Sequence, residues 1–315
     1  MHYRAWAICA AIGVTTGLAR GQTAGLSDDA PASPSVENML GPSLIAPVRL
    51  ALVDEPQSVY PQIAPPRDDE GINAGAVHFD VDVSYLSTYV YRGVDQTTTP
   101  KTQERALQFD GKAEFDLGKL PHPFVGLFVN VFNSDPISRF EEVRPNFGLD
   151  WTIKPITFSG GYTSYIFPNR KGLDTQEAFA RIMLDDSRIF HTERPLLAPY
   201  VFGAYDLNLY KGFYLEAGIR HDFVFEDVGL TLTPNADIAY VVNNPQYEIM
   251  HGPKSGLQHY DVNLTATYSL NHLFNTSRRY GEWSVRGYLT YTAQIDKQLR
   301  ADTLIWGGVG LNFSY

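Results

Sequence analysis

Cysteine is all but missing from this chain of 315 residues: Cys9 is the only one, so no disulfide can form within it. There is also no run of 18 apolar residues, which excludes a membrane-spanning helix. Basic residues are in deficit, with Lys and Arg numbering 25 against 35 Asp and Glu, for a formal net charge of −10. Phosphate backbones are bound by a basic footprint, so nucleic acid is excluded as a partner. Motifs for chemistry are lacking as well. The chain has no His-Glu-x-x-His and no paired Cys, and Gly252-Pro253-Lys254-Ser255 lacks the spacing of a phosphate-binding lysine loop. Asp80 and Asp82 share one face of a candidate strand, but two carboxylates are weak grounds for a cation site. No catalytic residue, cofactor or metal site is therefore expected.

What the chain does have begins with an export signal. Arg4 supplies a positive start, Ala5 to Leu18 is apolar and free of acids, and small residues follow at Gly17, Ala19 and Gly21. Residues 1–21 are accordingly expected to be a cleaved signal peptide, and loss of Arg4 and Arg20 with it would take the formal charge to −12. Residues 22–76 contain eight prolines, from Pro31 to Pro66, and show neither helical nor strand periodicity. That composition reads as a disordered periplasmic tail.

From Val77 the pattern changes to a period of two, the signature of strands with one apolar and one polar face. Phe79, Val81, Val83, Tyr85, Tyr89 and Tyr91 alternate with Asp80, Asp82, Ser84, Thr88 and Arg92. Leu107, Phe109, Gly111, Ala113 and Phe115 then alternate with Gln108, Asp110, Lys112, Glu114 and Asp116. Ten further candidates follow: 124–133, 143–154, 156–167, 175–185, 196–206, 213–223, 230–240, 258–270, 283–293 and 302–315. Most are about ten residues or longer, the length a strand needs to cross a bilayer, and bacterial single-chain barrels use even strand numbers. The fold expected for residues 77–315 is all-β, a transmembrane antiparallel up-and-down β-barrel of about twelve strands. Three prolines, Pro145, Pro199 and Pro234, fall inside proposed strands. Each removes a ladder donor, so each belongs near a rim or at a bulge.

Alternation alone does not say which face points outward, since a soluble barrel such as a lipocalin turns its apolar face in. The export signal, the lack of disulfides, the twelve long strands and the closing run Ile305 to Tyr315 favour apolar outward. The mildly polar mean hydropathy of −0.20 fits too, because lumen residues dilute lipid-facing ones in such a wall. Tyr89, Tyr91, Tyr162, Tyr240, Tyr260, Tyr268, Tyr291 and Tyr315 are then candidates for interfacial girdles. The polar face becomes the lining: Asp80, Asp82, Asp110, Glu114, Asp116, Asp150, Glu177, Glu216, Asp222, Asp237 and Asp261 against Arg92, Lys112, Arg144, Lys154, Arg181, Arg220 and Arg286. Aromatics on the same face, Phe128, Phe132, Phe179, Tyr214 and Tyr288, either fill space or stack a ligand.

The stretch Val83-Ser-Tyr-Leu-Ser-Thr-Tyr-Val-Tyr-Arg-Gly-Val-Asp-Gln-Thr resembles the opening strand of the TorF-like family of outer-membrane porins, through Ser87, Tyr89, Arg92 and Gly93. Shorter similarities occur at Gln176 to Phe179, Pro199 to Asp206 and Gly212 to Gly218. The resemblance implies an outer-membrane barrel of porin function with no catalytic residues. The chain's end on Phe313-Ser-Tyr315 resembles the closing strand of such barrels, where terminal aromatics serve the barrel assembly machinery. The expected partners are outer-membrane lipid, that machinery and small hydrophilic solutes, and the expected role is passive diffusion with a weak cation preference. A non-conducting structural or adhesive anchor is the alternative. A lipid hydrolase fits less well, because the His-x-Ser-Asn hallmark of outer-membrane phospholipases is absent and His221 has no neighbouring Ser.

Deleting residues 22–76 is expected to leave a barrel that still migrates as a compact, heat-modifiable band on a gel. A truncated chain that never reaches the compact form would make the tail a plug or a folding element.

Overall fold

The computed structural model describes residues 77–315 except 97, 100, 101, 104, 133–141, 169, 171, 193, 250, 278 and 280. The expected signal and tail, residues 1–76, lie outside the described residues.

Twelve long strands form: β1 (Val77–Leu86), β2 (Ala106–Phe115), β3 (His122–Phe132), β4 (Glu142–Ile153), β5 (Ile156–Tyr165), β6 (Thr175–Leu184), β7 (Tyr200–Asp206), β8 (Phe213–Arg220), β9 (Leu230–Val242), β10 (Gly256–Ser269), β11 (Glu282–Gln294) and β12 (Leu304–Ser314). Each pairs antiparallel with its neighbours in sequence, and β12 pairs with β1, so the sheet is closed. The closing register sets Val83 against Leu311 and Tyr85 against Val309. Below β8 a three-residue strand, Phe223–Phe225, continues the pairing with β9.

The alternation maps onto two faces. Phe79, Phe109, Leu127, Leu149, Val201, Leu264, Leu289 and Ile305 are all exposed on the outside, while the residues between them turn inward. A wall with so continuous an apolar exterior is stable only against lipid, so the chain is an outer-membrane-type β-barrel. Tyr240, Tyr260 and Tyr291 stand exposed near one rim, with Tyr260 and Tyr291 edge to face at 6.1 Å, as interfacial aromatics do.

Both barrel ends of the chain lie at the same rim, called terminal here; the other is the distal rim. The terminal connection at Lys154-Pro155 is short. Two are longer because each holds a helical turn, α1 (Ser187–Phe190) and α2 (Leu270–Phe274). The side chain of Asp186 ties the first to the segment leading into β7 by accepting from the amides of Leu196 and Leu197 at 2.7 and 2.8 Å. The prolines fall where the ladder is interrupted or ends. Pro145 lies where β4–β5 pairing skips from Asn146 to Val143, Pro234 where β8 gives way to Phe223–Phe225, and Pro199 just ahead of β7.

The first strand corrects the alternation. It ends at Leu86, and Tyr89 and Tyr91 are not girdle residues but are buried inside the barrel, at 2% and 0% exposure. The chain turns inward at Ser87 and forms a hairpin, Val90-Tyr91 against Val94-Asp95, whose two turn residues Arg92 and Gly93 have φ of 44° and 75°. Positive φ at both positions is the mirror turn that suits a two-residue hairpin. Gly93 has a second constraint: a Cβ there would lie 2.5 Å from Cγ of His259.

One charge on the outer wall is expected to cost far more than the same charge inside. Leu264→Arg should lose about 2–4 kcal/mol if it lies near the bilayer midplane, and Thr265→Arg on the interior face much less. Urea titration of both variants refolded into lipid vesicles checks this; equal losses would reverse the face assignment.

Candidate functional site in the barrel interior

Of the residues expected to line the interior, those within the strands alternate with the exposed apolar side chains, whereas Asp116 and Lys154 lie just beyond the ends of β2 and β4 and are exposed; burial divides the rest into two halves. Toward the distal rim the inward hairpin fills the barrel. Arg92, at its turn, reaches the interior from the hairpin rather than from the wall. Its guanidinium donates two parallel bonds of 3.0 Å to Glu177 on β6, with both side chains 3% exposed. Tyr165 on β5 donates to the same carboxylate at 2.7 Å, and the guanidinium stacks 4.2 Å over the Tyr214 ring. Planar, bidentate and stacked contacts are what arginine offers and lysine does not.

A second buried arginine supports the flank of the hairpin. Arg144 on β4 pairs with Glu142 and donates to the hydroxyl of Tyr89, and its guanidinium lies 4.4 Å from the Phe128 ring centroid and 5.1 Å from that of Tyr91. Glu142 was not among the expected lining residues. Extending the alternation of β4 two residues backward from Arg144 places it on the same face. The hairpin backbone is held as well. Gln258 donates to the Arg92 carbonyl at 2.9 Å, the Asp302 amide donates to the Gly93 carbonyl at 2.7 Å, and the Asp95 amide donates to Asp302 Oδ2 at 2.8 Å. Arg181 on β6 stacks 4.7 Å over Tyr200, while Tyr200 and Tyr214 donate to the two oxygens of Glu216 at 2.7 and 2.8 Å.

The terminal half is wetter and more acidic. Lys112 binds Asp150 at 2.5 Å and Glu114 at 2.8 Å, yet the three side chains stay 21%, 17% and 23% exposed. Arg286 binds Asp82 at 2.7 Å, Arg220 binds Asp222 at 2.7 Å, and Asp80 accepts from Asn312 at 2.8 Å. Asp110 and Asp237 share this interior face, with Asn235 donating to Asp237 at 3.0 Å. Of the ring candidates, Phe128 and Tyr214 are buried in the distal half and Phe179 and Tyr288 face inward beside them; the side chain of Phe132 lies outside those described. His221 faces Leu196 O at 2.7 Å and packs edge-on to Phe223 at 4.3 Å, a structural setting.

One feature has no sequence signal. Opposite Ala239 on β9, β10 carries two residues, Gln258 and His259, because the register shifts between Ile238 and Tyr240. This bulge turns two consecutive side chains inward, and both are buried.

No protein-family model matches the sequence, and no curated protein is similar to it. Among solved structures the chain is similar to the NanC porin, at 11% identity and a TM-score of 0.43 over 75% of this chain and 98% of that one. It is also similar to the KdgM porin in complex with disordered oligogalacturonate, at 9% and 0.41 over 76% and 99%. An outer membrane channel from Pseudomonas putida F1 matches at 8% and 0.43 over 80% and 99%.

Removing one member of the buried pair is expected to be worse than removing both. Glu177→Ala leaves the Arg92 guanidinium buried without its anion and should destabilise the barrel by about 3–5 kcal/mol, whereas Arg92→Met combined with Glu177→Leu should lose much less. Denaturant unfolding of the refolded proteins measures both. An additive double variant would show that the two side chains do not act as a pair.

Proposed function

We propose that this barrel is a porin-like outer-membrane channel of the TorF-like kind, admitting small hydrophilic solutes by passive diffusion, with the hairpin from Ser87 to Gln96 as its constriction and gate. The observation that carries the reading is the division of the interior. A more exposed, acid-rich half leads to a hairpin whose Tyr89, Tyr91 and Val94 pack among buried rings and aliphatic side chains while buried arginines fix its turn and flank. In the terminal half, Asp80, Asp82, Asp110, Glu114, Asp150 and Asp222 face Lys112, Arg220 and Arg286, and Asp237 and Asp261 lie nearer the hairpin. A low-dielectric wall focuses such a field, so cations are enriched along the axis. Arg92, Arg144, Arg181, Glu177 and Glu216 belong instead to the constriction.

In this reading the terminal rim faces the periplasm, residues 1–21 are removed on export and 22–76 form the periplasmic tail. Phe313 and Tyr315 present the closing strand to the assembly machinery.

The tight packing of the hairpin also favours the second reading, a non-conducting anchor, and one experiment separates the two. In a planar bilayer under a KCl gradient, the protein is expected to show small conductance with a cation-signed reversal potential, and Asp110→Asn with Glu114→Gln should weaken that selectivity. Deleting residues 88–95 should enlarge the conductance. An anion-signed potential would overturn the cation preference, and a hairpin-deleted barrel that is folded and still silent would leave the anchor.

A further inference from the structure

Asp237 on β9 and Asp261 on β10 are directly paired across the ladder, on the interior face. Like charges in that position repel. Glu216 shares the face on β8, two residues from Gly218, which is the partner of Asp237. The bulge brings a nitrogen donor into this acidic group. His259 sits on the same face as Asp261, with Nε2 3.8 Å from Asp261 Oδ2, beyond hydrogen-bond reach. Its ring is 1% exposed, and its Nδ1 is buried without a hydrogen-bond partner, as is Oδ1 of Asp261. Buried polar atoms are almost always satisfied, so the unpaired Oδ1 of Asp261, opposed by a second aspartate across the ladder and with His259 Nε2 close by, calls for a missing partner of positive charge.

Donor atoms of Asp237, His259 and Asp261 all lie within 4.8 Å of one another. We propose that these three side chains bind a divalent transition-metal ion of the zinc class on the lumen wall beneath the hairpin turn. The donor set selects the class. Calcium takes six to eight oxygens and magnesium keeps its waters, whereas one imidazole nitrogen with two carboxylate oxygens suits a borderline ion. Bonds of about 2.0–2.2 Å draw such donors to within about 3.5 Å of each other, a contraction that side-chain torsions supply. The ion's charge turns the repulsion between the two aspartates into a shared attraction. Gly93 rests against the His259 ring, so the bound ion also stiffens the surface on which the hairpin turn lies. The site does not depend on whether the barrel conducts.

The test is zinc binding by the refolded full-length protein, followed by equilibrium dialysis and by X-ray absorption at the zinc edge. One saturable equivalent is expected, with an imidazole nitrogen in the shell at about 2.0–2.1 Å. H259Q and D261N should each weaken binding at least tenfold. D116N removes a carboxylate from another place where histidines meet acids, His78 and His122 at the terminal rim, and should leave the affinity unchanged. Heat-modifiable migration establishes that each variant is folded, and if neither variant folds the absorption spectrum of the unaltered protein decides. Absence of saturable binding, equal affinity in folded H259Q and D261N, or an all-oxygen shell would overturn the proposal.

Discussion

Lipid offers a peptide group no water to replace a missing hydrogen bond, and most of this structure follows from that constraint. A strand can cross only if both of its edges are paired, so the sheet must close on itself. Closure here is made by β1 against β12, down to a last rung in which Phe79 and Tyr315 exchange backbone bonds of 2.8 Å in both directions. Once the ring is complete, each strand presents one face to hydrocarbon and one to the interior, and the period of two in the sequence becomes a spatial inside and outside.

This is also why the wall was largely legible and the interior was not. Leu107 to Asp116 reads as a strand because lipid on one side and water on the other impose opposite demands at every step. The same pattern misled at the end of β1. Tyr89 and Tyr91 keep the alternation going, but Leu86 is the last residue on the wall, and the chain turns into the barrel, where a tyrosine is as well suited to fill space as to meet a headgroup. Arg92-Gly93 carries the only local sign of the turn. Glu142 was missed by one residue of strand, and Gln258 and His259 by a bulge, which depends on the partner strand and leaves no mark on spacing. Asp237, His259 and Asp261 meet across two strands, so no linear motif could announce them.

Inside, buried charge pairs act alongside apolar packing, in which Tyr89, Tyr91 and Val94 of the hairpin take part. Of the buried arginines, Arg92 and Arg144 each have a carboxylate together with aromatic faces. Such pairs are strongly directional and poorly replaced by other partners, and they fix the hairpin in one position without making its displacement irreversible. Hydrophobic burial of equal extent would hold the segment with less regard to its orientation. The polar contacts to Gln258 and Asp302 draw the hairpin to the β10–β12 side of the barrel, and the arginine pairs draw it to β4–β6, so it is tied across the full width of the lumen.

A barrel filled at one end only has sidedness. The hairpin packs the distal half, whereas Lys112, Glu114 and Asp150 in the terminal half stay 21%, 23% and 17% exposed, so the carboxylates there are reached more readily from the terminal rim than from the distal one. Their ionic state is therefore set more by the solution at the terminal rim than by that at the distal rim.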